Sequence, residues 1–392
     1  MSPQTIITER LNKVRQQGLA RTIRTVSGTG PHTVFDDQQV LLLCSNNYLG
    51  LAEHPALKEA AIKAVQQSGN SSSASRLVSG SLPLHDQLEE AVASWKGTEA
   101  ALIFNSGYAA NTGIISALAG KGDLIFSDRL NHASIIDGAM FSGAKLIRYP
   151  HNDTNTLAQL LAKHETNGLR LIVTDTVFSM DGDLAKLQQL TRLAKEHNTL
   201  LMVDDAHGSG ILAEEGRGCC HLLGEQGGVH LLMGTFGKAL GSFGAYLATS
   251  HLIRDYLINR ARPLIFSTSL PPSVLAASMA AIKLVRSDEG AQLRHKLTDN
   301  ISFFRNSLSD QGFSIPHSPT PIIPLIIGDP ELTMSFSAQL LEQKIWVQGI
   351  RPPTVPAGTS RLRCTVMASH SKTDLQTAAV TIGNIGRKLG II

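Results

Sequence analysis

LLMVDDAHGSG, residues 200–210, begins with four apolar residues, continues into two carboxylates and ends in a glycine-containing loop. A short, nearly continuous apolar run of this kind suits a strand that is buried on both faces. The same pattern recurs at AALIF (100–104), DLIFS (123–127), KLIRY (145–149), LRLIVT (169–174) and HLLMG (230–234). Helical patterns such as residues 183–198 separate these runs, which predicts βαβ units and an α/β fold with a mostly parallel sheet.

The chain on either side of this region has a different pattern. Residues 4–24 carry apolar side chains spaced for one face of a helix, and residues 34–43 predict a hairpin that leads into a buried strand. Beyond about residue 285, a long helical stretch, a proline-rich strand region and further short elements predict a small α+β domain. We therefore expect an N-terminal arm (1–45), a large domain (46–287) and a small C-terminal domain (288–392).

The composition excludes several classes of protein. With 42% hydrophobic and 17% charged residues, the chain of 392 residues is too apolar to be disordered. The net charge of +3 includes no concentrated basic run, so we expect no nucleic-acid partner. No apolar run approaches the roughly 18 residues of a membrane span, and the N-terminus lacks the apolar core of a signal peptide. We therefore expect no membrane partner and a cytoplasmic location.

Residues that follow the apolar runs are the candidates for chemistry, because ligands of an open α/β sheet bind beyond the carboxyl ends of its strands. Lys238 carries an amine that can form a Schiff base with an aldehyde cofactor, and an ordinary surface lysine is the alternative. Asp204 ends its strand as a carboxylate that is costly to bury. It either holds a protonated pyridine nitrogen or caps the next helix. His207 either orients Asp204, bonds to a ring hydroxyl of the cofactor, or is structural.

Further candidates follow other runs. Gly107 precedes a helical pattern whose first N–H groups can bind a phosphate, with an ordinary N-cap as the alternative, and Thr235 offers a hydroxyl to the same phosphate. His132 can stack on a flat ring or donate to a substrate oxygen, and a core histidine is the alternative. Arg361 and Arg363 lie on a predicted strand, where we expect them to face opposite sides, so that one of them points inward and binds a carboxylate.

Competing chemistries lack their motifs. The sequence has no GxSxG, HExxH, EF-hand or GxGxxG pattern, and Ala239 follows Lys238 where a phosphate-binding P-loop needs serine or threonine. Asp204 and Asp205 are neighbours that should diverge, which is poor for glycoside hydrolysis. The four cysteines lack metal-ligand spacing, so we expect no metal site.

Five motifs in order along the chain resemble those of the α-oxoamine synthases, a family of fold-type-I pyridoxal-phosphate enzymes. They are SNNYLGL (45–51), DRLNHASIIDG (128–138), VFSMDGD (177–183), VDDAHGSG (203–210) and TFGKALG (235–241). The resemblance implies a large domain with a mostly parallel seven-stranded sheet, a small C-terminal α+β domain and pyridoxal 5′-phosphate as cofactor. SGYAAN, FSTSLPP (266–272) and IRPPTVPAGTSRLR (350–363) further imply a member that condenses L-alanine with a pimeloyl thioester.

The resemblance also assigns roles to residues. It implies Lys238, His132 and Asp204 as catalytic residues, and Lys238 as the base that removes the α-proton of alanine. A homodimer with a shared active site is implied, because one segment reaches the phosphate of the neighbouring subunit. The implied cofactor residues are Gly107, Tyr108, His132, Ser179, Asp204, His207, Thr235 and Lys238, with Ser267 and Thr268 from the neighbouring subunit. The implied substrate residues are Arg21, Asn47, His132, Thr354 and Arg363.

Three points stay open at this stage. The acyl donor is a thioester of either acyl carrier protein or coenzyme A. A glycine-using ligase of the same family, another acyl-chain specificity, and a non-catalytic binding or regulatory subunit are alternative functions. Serines 71–73 and Ser75 occupy a loop that is often glycine-rich in the family and borders the acyl entry there, so the resemblance does not fix the acyl donor.

Overall fold

The computed structural model describes all 392 residues and contains thirteen strands and fourteen α-helices, besides four short 3-10 or π turns. The strands are β1 (His32–Phe35), β2 (Gln38–Leu42), β3 (Ala100–Phe104), β4 (Leu124–Asp128), β5 (Lys145–Tyr149), β6 (Arg170–Asp175), β7 (Leu200–Asp204), β8 (Leu231–Thr235), β9 (Ala245–Thr249), β10 (Ile322–Gly328), β11 (Ile345–Trp346), β12 (Gln348–Ile350) and β13 (Ser360–Thr365).

The helices connect and cover these strands. They are α1 (Pro3–Gln16), α2 (Pro55–Ser68), α3 (Pro83–Lys96), α4 (Gly107–Leu118), α5 (Ala133–Ser142), α6 (Thr154–Lys163), α7 (Leu187–Glu196), α8 (Cys219–Leu222), α9 (His251–Arg260), α10 (Arg262–Ile265), α11 (Pro272–Val285), α12 (Asp288–Asp310), α13 (Pro330–Glu342) and α14 (Lys372–Lys388). No helix combines the length and the apolar character that crossing a membrane requires.

The central sheet has seven strands in the order β3-β9-β8-β7-β6-β4-β5. Strands β4 to β8 are parallel to one another, and β9 is antiparallel to both β3 and β8. The predicted α/β class with a mostly parallel sheet is confirmed. The carboxyl ends of β4, β6, β7 and β8 therefore meet at one edge of the sheet.

Helices cover both faces of this sheet, because side chains along each strand alternate between two apolar cores. On β7, Leu201 and Val203 belong to the larger core, and Met202 belongs to the smaller one. All three side chains are fully buried. This two-sided burial explains why the strands appear in the sequence as continuous apolar runs.

The C-terminal region forms an antiparallel sheet in the order β10-β13-β12, flanked by α12, α13 and α14. The N-terminal hairpin of β1 and β2 is joined to this region, because β2 pairs in parallel with β11. Between the large and small domains, α11 ends at Val285 and α12 begins at Asp288 with Ser287 as its N-cap. The proposed domain boundaries stay predictions.

Two elements differ from the sequence-based expectation. The first helix ends at Gln16 rather than near residue 24, because Gly18 adopts a left-handed backbone with φ of +66°. Strand β9 was not among the predicted runs. It occupies the place between β3 and β8, where it is paired on both sides and fully buried.

Candidate active site

A cavity of about 240 Å³ lies at the edge of the central sheet where the parallel strands end. The start of α4, the start of α5 and the loops after β6, β7 and β8 contribute its walls. Eight of the residues predicted for cofactor and catalysis surround it, which are Gly107, Tyr108, His132, Ser179, Asp204, His207, Thr235 and Lys238. The sheet topology thus brings together side chains that are up to 131 positions apart in the chain.

Asp204 is a buried carboxylate whose two oxygens both accept N–H donors. Its Oδ2 accepts from Nδ2 of Asn111 at 2.8 Å, and its Oδ1 accepts from the backbone N–H of Ala206 at 2.9 Å. Donors of this kind stabilise the charged form of a carboxyl. Asp205, the next residue, points elsewhere and pairs with the buried Lys96, so the two neighbouring acids diverge as predicted.

A second buried carboxyl, Asp175, ends the adjacent strand β6 and also lines the cavity. Burial and the nearby negative charge of Asp204 raise the pKa of Asp175 well above its usual range. Its Oδ2 accepts the backbone N–H of His132 at 2.7 Å. Asp175 and Asp204 are paired positions on the neighbouring strands β6 and β7, and they differ in their hydrogen-bond donors. Sequence reasoning missed Asp175, although it follows an apolar run in the same way as Asp204.

Lys238 lies in the loop after β8 and faces these two acids across the cavity. Burial lowers the pKa of its ammonium group, while the negative charges of Asp204 and Asp175 oppose this shift. A lowered pKa increases the fraction of the neutral amine at a given pH. A neutral lysine amine can attack an aldehyde or take a proton from carbon.

The start of α4 forms a cradle for an anion. Ser106 is the N-cap, and its Oγ accepts from the N–H of Ala109 at 3.1 Å. The Oγ1 of Thr235 is buried and has no hydrogen-bond partner within the protein. A Cβ at Gly107 would lie 2.8 Å from Cγ2 of Thr235, so only glycine leaves this space free. Free N–H groups and an unpaired hydroxyl around open space suit a phosphate.

On another side of the cavity, four polar side chains form a continuous network. Nδ1 of His207 lies 2.7 Å from the hydroxyl of Tyr48, which donates to Oδ1 of Asn46 at 3.1 Å. The same Asn46 oxygen accepts from Nη2 of Arg363 at 3.2 Å. Burial, together with the charge of Lys238, lowers the pKa of His207 well below its usual value, so its ring is neutral. Asn46 and Tyr48 were missed as individual residues, although the SNNYLGL motif contains both.

Both Arg361 and Arg363 point inward, so the expectation that only one of them does so was wrong. Residues two positions apart on a strand share a face, and both arginines contact the loop between β6 and α7. Arg361 pairs with Asp181, whereas Nε of Arg363 donates to the carbonyl of Ser179 at 2.5 Å. The guanidinium of Arg361 is thus already paired with the carboxylate of Asp181. The guanidinium of Arg363 instead lies next to Ser179, which lines the cavity.

His132 and Tyr108 stand at the mouth of the cavity, where both are exposed. His132 is the N-cap of α5, and its Nδ1 lies 2.7 Å from Oγ of Ser134. The Tyr108 hydroxyl donates to Asp137 at 2.5 Å. Phe243, which sequence reasoning did not single out, adds an exposed apolar ring to the same cavity.

Besides Arg363, five predicted site residues lie outside the lining of the cavity in the single chain. Asn47 uses its amide to donate to the carbonyl of Thr29 and to accept from the N–H of Ala52, which is a structural role. The other four are partly or fully exposed, namely Arg21, Ser267, Thr268 and Thr354. Nη2 of Arg351 donates to the carbonyl of Ala20, which brings the N-terminal arm beside the proline-rich loop that carries Thr354. The substrate and partner-subunit roles of these five residues stay predictions.

Residues 38–382 match the family described as Aminotransferase class I and II. The 8-amino-7-oxononanoate synthase of Trichlorobacter lovleyi is 62% identical over 390 residues, and the match covers the whole of both chains. The chain belongs to the 8-amino-7-oxononanoate synthase family. A protein of the same name from Geobacter metallireducens is 58% identical over 385 residues, covering 98% of each chain.

Solved structures give the same fold. Serine palmitoyltransferase from S. paucimobilis, described with bound PLP, aligns with a TM-score of 0.92 at 31% identity and covers 99% of this chain and 98% of its own. The 8-amino-7-oxononanoate synthase from Francisella tularensis aligns with a TM-score of 0.76 at 30% identity, covering 89% of this chain and 98% of its own. The fold is therefore that of the fold-type-I PLP-dependent enzymes, and both the predicted fold and the predicted family are confirmed.

Proposed function

We propose that this protein is an acyltransferase that uses pyridoxal 5′-phosphate to condense L-alanine with a pimeloyl thioester. The products are 8-amino-7-oxononanoate, carbon dioxide and a free thiol, in a step of biotin synthesis. The observation that carries the proposal is the placement of Lys238 and Asp204 in one cavity. The relatives named 8-amino-7-oxononanoate synthase support the choice of this reaction within the fold.

The residues of the cavity fit pyridoxal 5′-phosphate. The unpartnered hydroxyl of Thr235 and the start of α4 suit its phosphate, Asp204 suits a protonated ring nitrogen, and Lys238 suits its aldehyde. When bound, the cofactor supplies a carbonyl carbon that joins amines and a ring that accepts the electron pair released at the alanine Cα. The neutral ring of His207 lies where it can bond to the phenolic oxygen of the cofactor.

Lys238 moves the proton in this scheme. Once alanine has replaced it, the free amine of Lys238 takes the Cα proton, which its lowered pKa favours. The Cα of alanine then forms a bond to the carbonyl carbon of the thioester, the C–S bond breaks, and the sulfur leaves with the bonding electron pair as a thiolate that takes a proton from solvent. The alanine carboxylate leaves as carbon dioxide, and a proton takes its place on Cα. The protonated Lys238 is the nearest donor for that proton.

Arg363 and His132 orient the substrates in the proposal. Arg363 has five N–H donors, of which Ser179 and Asn46 occupy two, so the others are available for the alanine carboxylate. His132, at the cavity mouth, covers the cofactor ring and donates to the thioester oxygen. Arg21 and Thr354, which the contact between Arg351 and Ala20 brings to one region, bind the acyl chain.

The proposal includes a homodimer in which Ser267 and Thr268 reach the phosphate of the neighbouring subunit. Two features of the single chain support it. Helix α1 buries none of its residues and exposes apolar side chains such as Ile7 and Leu11. Phe141 and Phe266 are 68% and 70% exposed, and they line a surface cavity of about 660 Å³. Large exposed apolar patches mark protein interfaces.

An acyl-thioester panel tests the proposed reaction. Purified protein loaded with pyridoxal 5′-phosphate receives either alanine, glycine or serine, together with pimeloyl, acetyl or palmitoyl thioesters. We expect release of carbon dioxide and an amino-ketone only with alanine and a pimeloyl thioester. Turnover confined to glycine and acetyl-CoA would assign the glycine-using ligase reaction instead, and turnover confined to serine and palmitoyl-CoA would assign a lipid-forming synthase. Parallel assays with acyl carrier protein and coenzyme A as the thiol decide the donor.

The cytoplasmic location stays a prediction.

A further inference from the structure

Two buried polar side chains lie between Asp204 and His132 and take no part in the mechanism described above. They are Asn111 on α4 and Ser134 on α5, each 1% exposed. Nδ2 of Asn111 lies 2.8 Å from Oδ2 of Asp204 and 2.9 Å from Oγ of Ser134. Oγ of Ser134 lies 2.7 Å from Nδ1 of His132. An unbroken series of hydrogen bonds therefore runs from the buried carboxylate to the histidine at the cavity mouth.

The carboxylate of Asp204 determines which group donates in each of these hydrogen bonds. An ionised carboxylate can only accept, so Asn111 must turn its NH₂ group towards Asp204. The second hydrogen of the same nitrogen is then directed at Ser134, whose oxygen accepts it. This orientation leaves Oδ1 of Asn111 buried without a partner. A buried acceptor without a partner is unfavourable. The hydrogen bond from the Asn111 NH₂ group to the carboxylate of Asp204 offsets this cost and holds the amide in this orientation.

The hydrogen bond between Ser134 and His132 has a defined direction as well. Because Oγ of Ser134 accepts from Asn111, its single O–H is free to donate to Nδ1 of His132. The backbone N–H of Ser134 points at the same ring nitrogen from 3.3 Å. Two donors aimed at Nδ1 require it to carry a lone pair, and a neutral imidazole then has its proton on Nε2.

We propose that Asn111 and Ser134 are positioning residues that couple Asp204 to His132 and fix the His132 ring in the tautomer with its proton on Nε2. This inference rests on the proposed function, in which His132 donates to a carbonyl oxygen of the acyl donor. The fixed tautomer presents an N–H to that oxygen, whereas the other tautomer would present a lone pair. The backbone N–H of His132, held by Asp175 at 2.7 Å, keeps the ring at the cavity.

The tautomer is measured directly by ¹⁵N NMR on the cofactor-loaded protein with labelled histidine and without substrates. Comparison with His132→Asn assigns the ring signals of His132. We expect the wild-type spectrum to show a protonated Nε2 and an unprotonated Nδ1, and Ser134→Ala and Asn111→Ala to show a mixture of the two tautomers. Ser142→Ala is the matched control, because its hydroxyl lies on the same helix and bonds only to the backbone of Ala139 and Ala144.

Kinetics give a second readout. Ser134→Ala should lower kcat about tenfold, the scale of one hydrogen bond, with the cofactor absorbance retained and the KM for alanine nearly unchanged. A wild-type His132 with its proton on Nδ1, or variants that keep a pure Nε2–H tautomer, would overturn the inference. If the tautomer shifts as expected while no alanine-dependent turnover of a pimeloyl thioester is found, the proposed function fails and the positioning role stands.

Discussion

Lys238 is the residue on which the proposed chemistry depends. Lys238→Ala removes the only amine that lines the cavity, so we expect the protein to lose the visible absorbance of the lysine-bound cofactor. Turnover should fall at least about 1,000-fold, because both the attachment and the proton transfer are lost. Absorbance spectra and the carbon dioxide assay measure the two effects. Lys195→Ala, at an exposed lysine on α7, is the control and should change neither. An unaltered cofactor spectrum in Lys238→Ala would refute the site assignment.

The two buried arginines of β13 should respond differently to truncation. Arg363→Ala should raise the KM for alanine roughly tenfold to 100-fold while the cofactor stays bound, because a charge-assisted contact to the carboxylate is lost. Arg361→Ala removes the partner of Asp181, so it should lower the melting temperature and leave the KM for alanine nearly unchanged. Steady-state kinetics and thermal unfolding separate the two roles. Normal alanine saturation in Arg363→Ala would exclude this arginine as the carboxylate-binding residue.

At the scale of elements, the loop after β6 carries Ser179 and is held by a charged cluster. Nδ1 of His151 lies 3.2 Å from Oδ1 of Asp128, and its Nε2 lies 2.9 Å from Oδ2 of Asp183, the acid at the far end of this loop. Burial disfavours the protonated ring, but the hydrogen bonds and negative charges of Asp128 and Asp183 outweigh it and raise the pKa of His151 to about 10. The protonated imidazole thus ties the end of β4 to the loop.

This cluster predicts a pH-dependent contribution to stability. A histidine whose pKa is higher in the folded state stabilises the protein fully below its unfolded pKa of about 6.5, and the contribution disappears as the pH rises through the folded value. His151→Gln should therefore lower the free energy of unfolding by about 1–2 kcal/mol at pH 6, and by progressively less as the pH rises from about 6.5 to about 10. Denaturant unfolding across pH measures the difference. His295→Gln, at an exposed position on α12, should show no such trend, and a pH-independent loss for His151→Gln would contradict the ion-pair interpretation.

The strands could be predicted from the sequence almost to the residue, because burial on both faces forces continuous apolar runs. The run at 200–204 coincides with β7, and the run at 145–149 coincides with β5. Strand β9 was missed, although it is equally buried, because no helical pattern separates it from β8 and only a short glycine-containing loop precedes it. The excess length predicted for α1 has a similar origin, since its apolar spacing continues past the glycine that ends the helix.

At the scale of the whole molecule, the proposed shared active site predicts complementation between subunits. Thr268→Glu places a carboxylate where the partner subunit's phosphate is proposed to lie, so this homodimer should bind cofactor poorly. A mixed dimer of Thr268→Glu and Lys238→Ala subunits has one site with both changes and one site with neither. We expect co-expressed, dual-tagged mixed dimers to regain up to roughly half of the wild-type activity, whereas each variant alone has little.

The mixed-dimer experiment has a matched control and two outcomes that would contradict the shared site. A mixed dimer of wild-type and Lys238→Ala subunits gives the activity of one intact site per dimer. If the dimer of Thr268→Glu and Lys238→Ala stays as inactive as its parents, Thr268 does not act on the neighbouring site. Light scattering that finds a monomer in solution would remove the basis for the shared site altogether.

By itself, the sequence was sufficient for the fold class, the family and most of the cavity residues at the ends of the parallel strands, with Asp175 as the exception. Local patterns encode these features, because strand burial appears as apolar runs and parallel strands bring their carboxyl ends to one edge. These patterns alone therefore place Lys238, Asp204, His207 and Gly107 near one another. The motifs then supplied the cofactor and the reaction as implications of resemblance.

The tertiary structure alone decided which side chains touch. Asn111 and Asp204 are 93 positions apart, and their hydrogen bond depends on how α4 packs over the end of β7, which no local pattern records. The same holds for the network from His207 through Tyr48 and Asn46 to Arg363, and for the inward direction of both arginines. Hydrogen bonds require atoms to meet within a few tenths of an ångström. Only the packed arrangement of the elements sets distances to that accuracy.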